Sequence, residues 1–137
     1  MNIEAIKRML INNEGIVLHC YQDHLGLHTI GVGRLIEKGK GGLTKEECEY
    51  LLENDIGRVM ERLDRNFPWW RDLSEPRQHV MIDLSFNLGN RLSKFVNFLA
   101  SLEAGDYQSA SEHLLDSKYA RQVANRANRN ADLIREG

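Results

Sequence analysis

Residues 13–33 read Asn13-Glu14-Gly15-Ile16-Val17-Leu18-His19-Cys20-Tyr21-Gln22-Asp23-His24-Leu25-Gly26-Leu27-His28-Thr29-Ile30-Gly31-Val32-Gly33, and the character of the chain changes inside this stretch. Before it, Ile3, Ile6 and Leu10 recur at helical spacing behind Asn2, a side chain suited to capping a helix N-terminus. Gly15 is a stop signal, so the first helix is predicted to close at Asn13 or Glu14. After it, Ile16–Tyr21 and His28–Val32 are short, apolar and partly β-branched or aromatic. The Gln22–Leu27 segment between them has the Asp and Gly of a turn. A helix ending on a carboxylate, followed by a small antiparallel hairpin, is the expectation.

Working outward, Glu37-Lys38-Gly39-Lys40-Gly41-Gly42 reads as a mobile loop that breaks regular structure. Thr44-Lys45-Glu46-Glu47 is a capping box, in which Thr44 and Glu47 satisfy each other's backbone amides. Cys48, Leu51, Leu52, Ile56, Val59, Met60 and Leu63 follow at helical spacing, predicting one long helix over Lys45–Arg65, ended by Phe67-Pro68. Ser74 is predicted to cap a helix that opens with Glu75-Pro76 and stops at Gly89, with Val80, Met81, Leu84 and Leu88 buried. Further helices are expected over 92–104, over 107–116 behind Asp106, and over 125–136. Trp69-Trp70 reads as a plug at the end of a helical core rather than a sugar platform.

The fold class that results is α+β, mostly helical, as one domain over residues 1–137. Its expected parts are a hairpin lobe of about 14–44, a connecting helix of about 45–65 and a helical lobe of about 66–137 joined by helix 1. A cleft is expected between the two lobes.

Composition narrows the function classes. Of 137 residues, 42% are hydrophobic and 28% charged, enough to build a core. No apolar run approaches the roughly 18–20 residues that cross a bilayer, so no stable membrane insertion is expected. Met1–Arg8 lacks the apolar segment of a signal peptide, which points to synthesis in a cytoplasm. Cys20 and Cys48 are too few for a disulfide framework and read as half-buried packing residues, with a single bridge as the alternative. The net charge of −2 argues against nucleic acid as a partner. The run from Lys118 to Ala131 nevertheless holds Lys118, Arg121, Arg126 and Arg129 without an acidic residue. It is either a solvated helix face or a positive wall beside a polyanionic polymer.

Chemistry gathers at Glu14, Asp23 and Thr29. Hydrolysing a glycosidic bond takes a protonated carboxylic acid on one side of the sugar and an ionised carboxylate on the other. Glu14 sits at a helix C-terminus, where the dipole disfavours negative charge, and burial beside Ile16 would push the same way. Asp23 lies in a polar turn, where it stays ionised. If Ile30 and Val32 pack inward, strand alternation turns Thr29, Gly31 and Gly33 toward a cleft roomy enough for a sugar chain.

The spacing Glu-x8-Asp-x5-Thr at Glu14, Asp23 and Thr29 resembles the catalytic signature of the phage-type lysozymes, glycoside hydrolase family 24. Asn13-Glu14-Gly15, Tyr21-Gln22-Asp23 and Thr29-Ile30-Gly31-Val32-Gly33 resemble that family's text, as do Phe86-Asn87-Leu88-Gly89, Ala104-Gly105-Asp106-Tyr107 and Asn125-Arg126-Ala127. The resemblance implies a lysozyme-like two-lobed fold and an inverting muramidase acting on bacterial peptidoglycan between N-acetylmuramic acid and N-acetylglucosamine. It implies Glu14 as general acid, with Asp23 and Thr29 around the attacking water. Gly31, Asn87 and Arg126 would be substrate-binding, with Arg126 also holding Glu14. It further implies no metal or cofactor, a monomer, and a phage endolysin that waits in the host cytoplasm until release to the wall. One departure stands out, because Arg34 follows the Thr-Ile-Gly-x-Gly text where most relatives have His. A buried guanidinium needs a carboxylate partner or solvent.

Three other readings have a basis in the sequence. His19, Cys20, His24 and His28 are zinc-capable types crowded into ten residues, but adjacent strand residues point to opposite faces and no ligand spacing is present. A lytic transglycosylase needs only the acid and leaves Asp23 and Thr29 idle. A catalytically impaired wall-binding module is favoured by Arg34 alone.

Overall fold

The computed structural model describes residues 1–137, which divide into two compact units, Met1–Tyr50 and Leu51–Gly137. The first unit opens with α1 (Ile3–Glu14). Asn2 caps it by accepting a hydrogen bond from the Ala5 amide at 3.0 Å, and Gly15 closes it by donating to Ile11 O at 2.7 Å. Both ends match the sequence signals.

The hairpin is larger than expected. Strands β1 (Val17–Gln22), β2 (His28–Gly31), β3 (Arg34–Glu37) and β4 (Lys40–Gly41) form a four-stranded antiparallel meander in sequence order. The predicted mobile loop is therefore a tight turn between two strands, with Glu37 paired to Lys40 and Ile36 to Gly41. Glycines that read as breakers serve the pairing. At Gly41 φ is +83°, and a β-carbon would fall 2.1 Å from Leu35 O, so only glycine lets the chain cross there.

The extra strand also settles which face turns inward. Thr29 lies opposite Tyr21 on one side and Leu35 on the other, so these three share a face. Thr29 is 2% exposed, and no other residue of the first unit is buried. Ile30 is only half-buried and Val32 is 39% exposed, which reverses the expectation that they pack inward. Instead they line a shallow groove with Val17, Leu18, Gly31 and Arg34.

Helix α2 (Lys45–Asn66) begins with the predicted capping box. Glu47 N donates to Thr44 Oγ1 at 3.1 Å, and Thr44 N donates to Glu47 Oε1 at 2.9 Å. Of its apolar stripe only Val59 and Leu63 are buried, both in the second unit. Cys20 and Cys48 are free and exposed, not half-buried, because neither the outer face of β1 nor the first turn of α2 is covered.

The second unit is built by burial. After a 3-10 turn (Pro68–Asp72), α3 (Glu75–Leu88) buries Val80, Met81, Leu84 and Leu88, the stripe read from the sequence. Ser74 precedes it without a side-chain cap, and its hydroxyl is buried and unpartnered. The helix expected over 92–104 is two pieces, a 3-10 segment (Gly89–Lys94) and α4 (Val96–Glu103), broken at Phe95. Helix α5 (Tyr107–Leu115) is capped by Asp106, whose carboxylate accepts from the Ser109 amide at 3.1 Å. The short α6 (Lys118–Gln122), capped by Ser117, was not foreseen, and α7 (Ala124–Glu136) closes the chain. Helix α7 packs on α3, α5 and α6, putting Ala127, Ala131 and Ile134 into a core with Leu63, Trp70, Phe98 and Leu102. Trp70 is a core residue as expected, its indole N–H donating to Asp64 at 2.8 Å. No helix is long and apolar enough to cross a membrane.

Candidate active site

Glu14 is the last residue of α1, and its carboxylate lies against the turn between β2 and β3. A β-carbon on Gly33 would sit 2.9 Å from Glu14 Oε2, and φ there is +63°, so glycine is required twice over. Glu14 is exposed rather than partly buried, because Ile16, its expected apolar cover, is itself exposed. Within its own unit Glu14 has no ion-pair partner.

At the other end of β2, Asp23 closes the turn that joins β1 to β2. Its Oδ1 accepts from the amides of Leu25 at 2.8 Å and Leu27 at 2.9 Å. The Leu27 amide does most to hold this carboxyl below its ordinary value, slight desolvation opposes it, and the Leu25 amide and nearby His24 add to the lowering. Asp23 is thus an ionised carboxylate at neutral pH, as its setting in the sequence suggested. Thr29 lies between the two acids along the strand. Its hydroxyl donates to Leu27 O at 3.0 Å, which leaves its oxygen lone pairs as acceptors.

Arg34 has found the carboxylate that its charge requires. It donates to Glu47 at 2.7 Å and to Gly42 O at 3.1 Å. Glu47 already serves the capping box, so one carboxylate ties the start of β3 to the start of α2. Its pKa is pulled down to about 2, first by the Arg34 hydrogen bond and then by the Thr44 amide, against some desolvation. His28 is engaged too, its Nδ1 lying 2.7 Å from Glu37 Oε1. His19, Cys20, His24 and His28 do not gather into a cluster of three metal-capable side chains.

Asn87 and Arg126 belong to the second unit. Asn87 is exposed on α3, beside Phe86, which is 48% exposed. Arg126 forms a two-pronged pair with Asp83, Nε to Oδ2 at 2.9 Å and Nη2 to Oδ1 at 2.5 Å. Asn130 also donates to Asp83, at 2.8 Å, and to the hydroxyl of buried Tyr119 at 3.2 Å. Burial pushes the Asp83 pKa up, but the Arg126 and Asn130 hydrogen bonds outweigh it and the net shift is downward. Arg126, which the family resemblance assigned to Glu14, is thus held by a carboxylate of its own unit. Asp83, Phe86 and Arg126 line a groove of about 560 Å³ with Leu52, Ile56 and Ile82. Asp83 was missed in the sequence, and Phe86 was read there only as part of the family text. The available signal was a lone carboxylate within the apolar pattern of α3, three residues before an aromatic.

The phage lysozyme family matches residues 11–132, so the chain belongs to that family, which makes it a lysozyme-type glycoside hydrolase by descent. The pre-baseplate central spike protein of Enterobacteria phage T4 is 27% identical over 97% of this chain, which spans 28% of that much longer protein. A probable T4-type lysozyme of Dictyostelium discoideum is 26% identical over 98% of this chain and 96% of its own length. An endolysin of Acyrthosiphon pisum secondary endosymbiont phage 1 is 29% identical over 74% of this chain and 69% of its own length.

Proposed function

We propose that this chain is a muramidase that hydrolyses the β-1,4 bond between N-acetylmuramic acid and N-acetylglucosamine in bacterial peptidoglycan, with inversion. The observation behind this reading is the disposition of two carboxylates about β2. Asp23 sits in the turn before the strand, and Glu14 lies against Gly33 just beyond it. An inverting pair needs about 6.5–9.5 Å between its carboxyl groups, to hold a water and a sugar between them.

Glu14 protonates the leaving glycosidic oxygen. Asp23, ionised by its two backbone hydrogen bonds, takes a proton from the attacking water on the opposite side of the ring. Thr29, buried on the inward face with its hydroxyl on Leu27 O, fixes the strand that lies between the two acids. Gly31 gives the glycan close access to the strand. An impaired, wall-binding protein is the weaker reading, since its one motive, Arg34, has its charge answered by Glu47. In its biology the chain serves as a phage endolysin, acting as a monomer and reaching the wall from the host cytoplasm.

Purified peptidoglycan tests this directly. Wild type is expected to release reducing muropeptides, and Glu14→Gln to release none. Anhydro-muropeptides in the mass spectrum would make the chain a transglycosylase instead.

A further inference from the structure

The basic run noted in the sequence is not one surface. Arg126 is committed to Asp83, whereas Lys118 is in no ion pair and lies on α6 beside cations from a different part of the chain. Two adjoining hollows of the second unit, of about 310 and 180 Å³, share Lys94, Phe95 and Lys118 in their walls. Arg91 lines the smaller and His113 the larger, with Asp116 as the single carboxylate. Neither Lys94, Lys118 nor Arg91 has an ion-pair partner, although the same unit pairs Arg58, Arg71, Arg126 and Arg135 with carboxylates. Three permanent cations turned onto one concave wall repel one another. They keep this geometry because Phe95 and Tyr119 pack edge to face behind them at 6.4 Å and fix the backbone that bears Lys94 and Lys118.

We infer that this groove is an anion site that takes phosphate groups, with Lys94 and Lys118 as its principal ligands and Arg91 and His113 at its two ends. The two hollows share Lys94, Phe95 and Lys118, with Arg91 on one and His113 on the other, so cations for more than one phosphate adjoin, which suits successive phosphodiesters better than one free ion. Charge complementarity supplies the attraction, which weakens as salt is raised because the cations are exposed. Such groups recur along anionic wall polymers, so the site would hold the protein at the wall independently of glycan cleavage.

The test uses the full chain, labelled for NMR and titrated with inorganic phosphate and with poly(glycerol phosphate). Sedimentation follows with vesicles of phosphatidylglycerol and phosphatidylcholine, and of phosphatidylcholine alone. Saturable shifts confined to 91–98 and 113–122 are expected, with the polymer binding more tightly than the free ion. Lys94→Gln/Lys118→Gln removes two exposed charges that make no hydrogen bond, so it leaves the fold intact and should weaken polymer binding roughly tenfold or more. Lys38→Gln/Lys45→Gln, with the same change in net charge, should leave it unchanged. Binding to the polymer but not to phosphatidylglycerol vesicles bears the inference out, and binding to the vesicles but not to the polymer overturns it. Equal weakening by both double variants, or no saturable shifts with any probe, overturns the inference. Muropeptide release by wild type is measured beside these titrations and is independent of their result.

Discussion

The two units are held together by different physics. In Met1–Tyr50 only Thr29 is buried, and the fold rests on caps, turns and side chains that bond to backbone. Asn2, Asp23, Glu37, Thr44 and Glu47 all bind main-chain amides there. In Leu51–Gly137 apolar residues from six α-helices fill a common core, and polar groups are mostly confined to its edge. Local polar bonds, such as those from the Leu25 and Leu27 amides to Asp23, hold a carboxylate without apolar cover. A core, by contrast, stabilises a surface on which charge can be spread without cost to the fold. The proposed acids lie in the first kind of region and the proposed anion groove on the second.

Substitutions can break or sharpen this contrast. The largest effect expected is on activity with no effect on stability: Glu14→Gln should lose about 10²–10⁴-fold in muropeptide release, since general acid catalysis supplies that much, while its thermal midpoint stays put. Next comes the core. Leu84→Ala should cost about 2–5 kcal/mol in denaturant unfolding, whereas Leu18→Ala, at a strand position 86% exposed, should stay within about 0.5 kcal/mol. A similar loss in both would dissolve the distinction between the units.

Gly33→Ala couples the two properties in the first unit. The left-handed backbone and the approach of Glu14 both forbid a β-carbon. A cost of about 1–2 kcal/mol is expected, with a fall in activity of roughly tenfold or more as the acid is displaced. In the second unit Arg126→Gln leaves Asp83 half-buried with Asn130 alone. Because the pair is about one-third exposed, solvent screening limits the loss to about 1 kcal/mol by thermal unfolding.

The smallest effect is on acid response. The Glu47 pKa is depressed in the folded state, so its contribution is whole above the ordinary 4.5 and is lost as pH falls toward about 2. Amide protection at Thr44–Glu47, taken relative to the intrinsic exchange rate at each pH, should therefore fall through that window in wild type. In Glu47→Gln it should already be low and flat, with α3 and α7 unchanged. Loss of protection across both units at once would mean that they unfold as one.

Much of the fold was legible because its signals are local. Asn2, Thr44 with Glu47, Asp106 and the glycines at 15 and 89 mark helix ends by satisfying amides within a few residues. The α3 stripe was legible for a similar reason, as helical periodicity shows a buried face directly. Strands β3 and β4 were not, since four residues are too few for a period and their glycines read equally as loop. The break at Phe95 was hidden inside a pattern that continued across it. At the candidate site, the types and spacing of Glu14, Asp23 and Thr29 lay open in the chain, but the face on which Thr29 sits did not.

From its letters alone, then, this protein's helices, its family text and the acids it offers for chemistry could be read, because each depends on neighbours a turn or a hairpin away. Only the tertiary structure decided that Tyr21, Thr29 and Leu35 share the inward face, that Arg34 is answered by Glu47, and that Arg126 is held by Asp83 across 43 residues of chain. Those outcomes turn on which distant groups meet once strands pair and helices pack, and no local period encodes that choice.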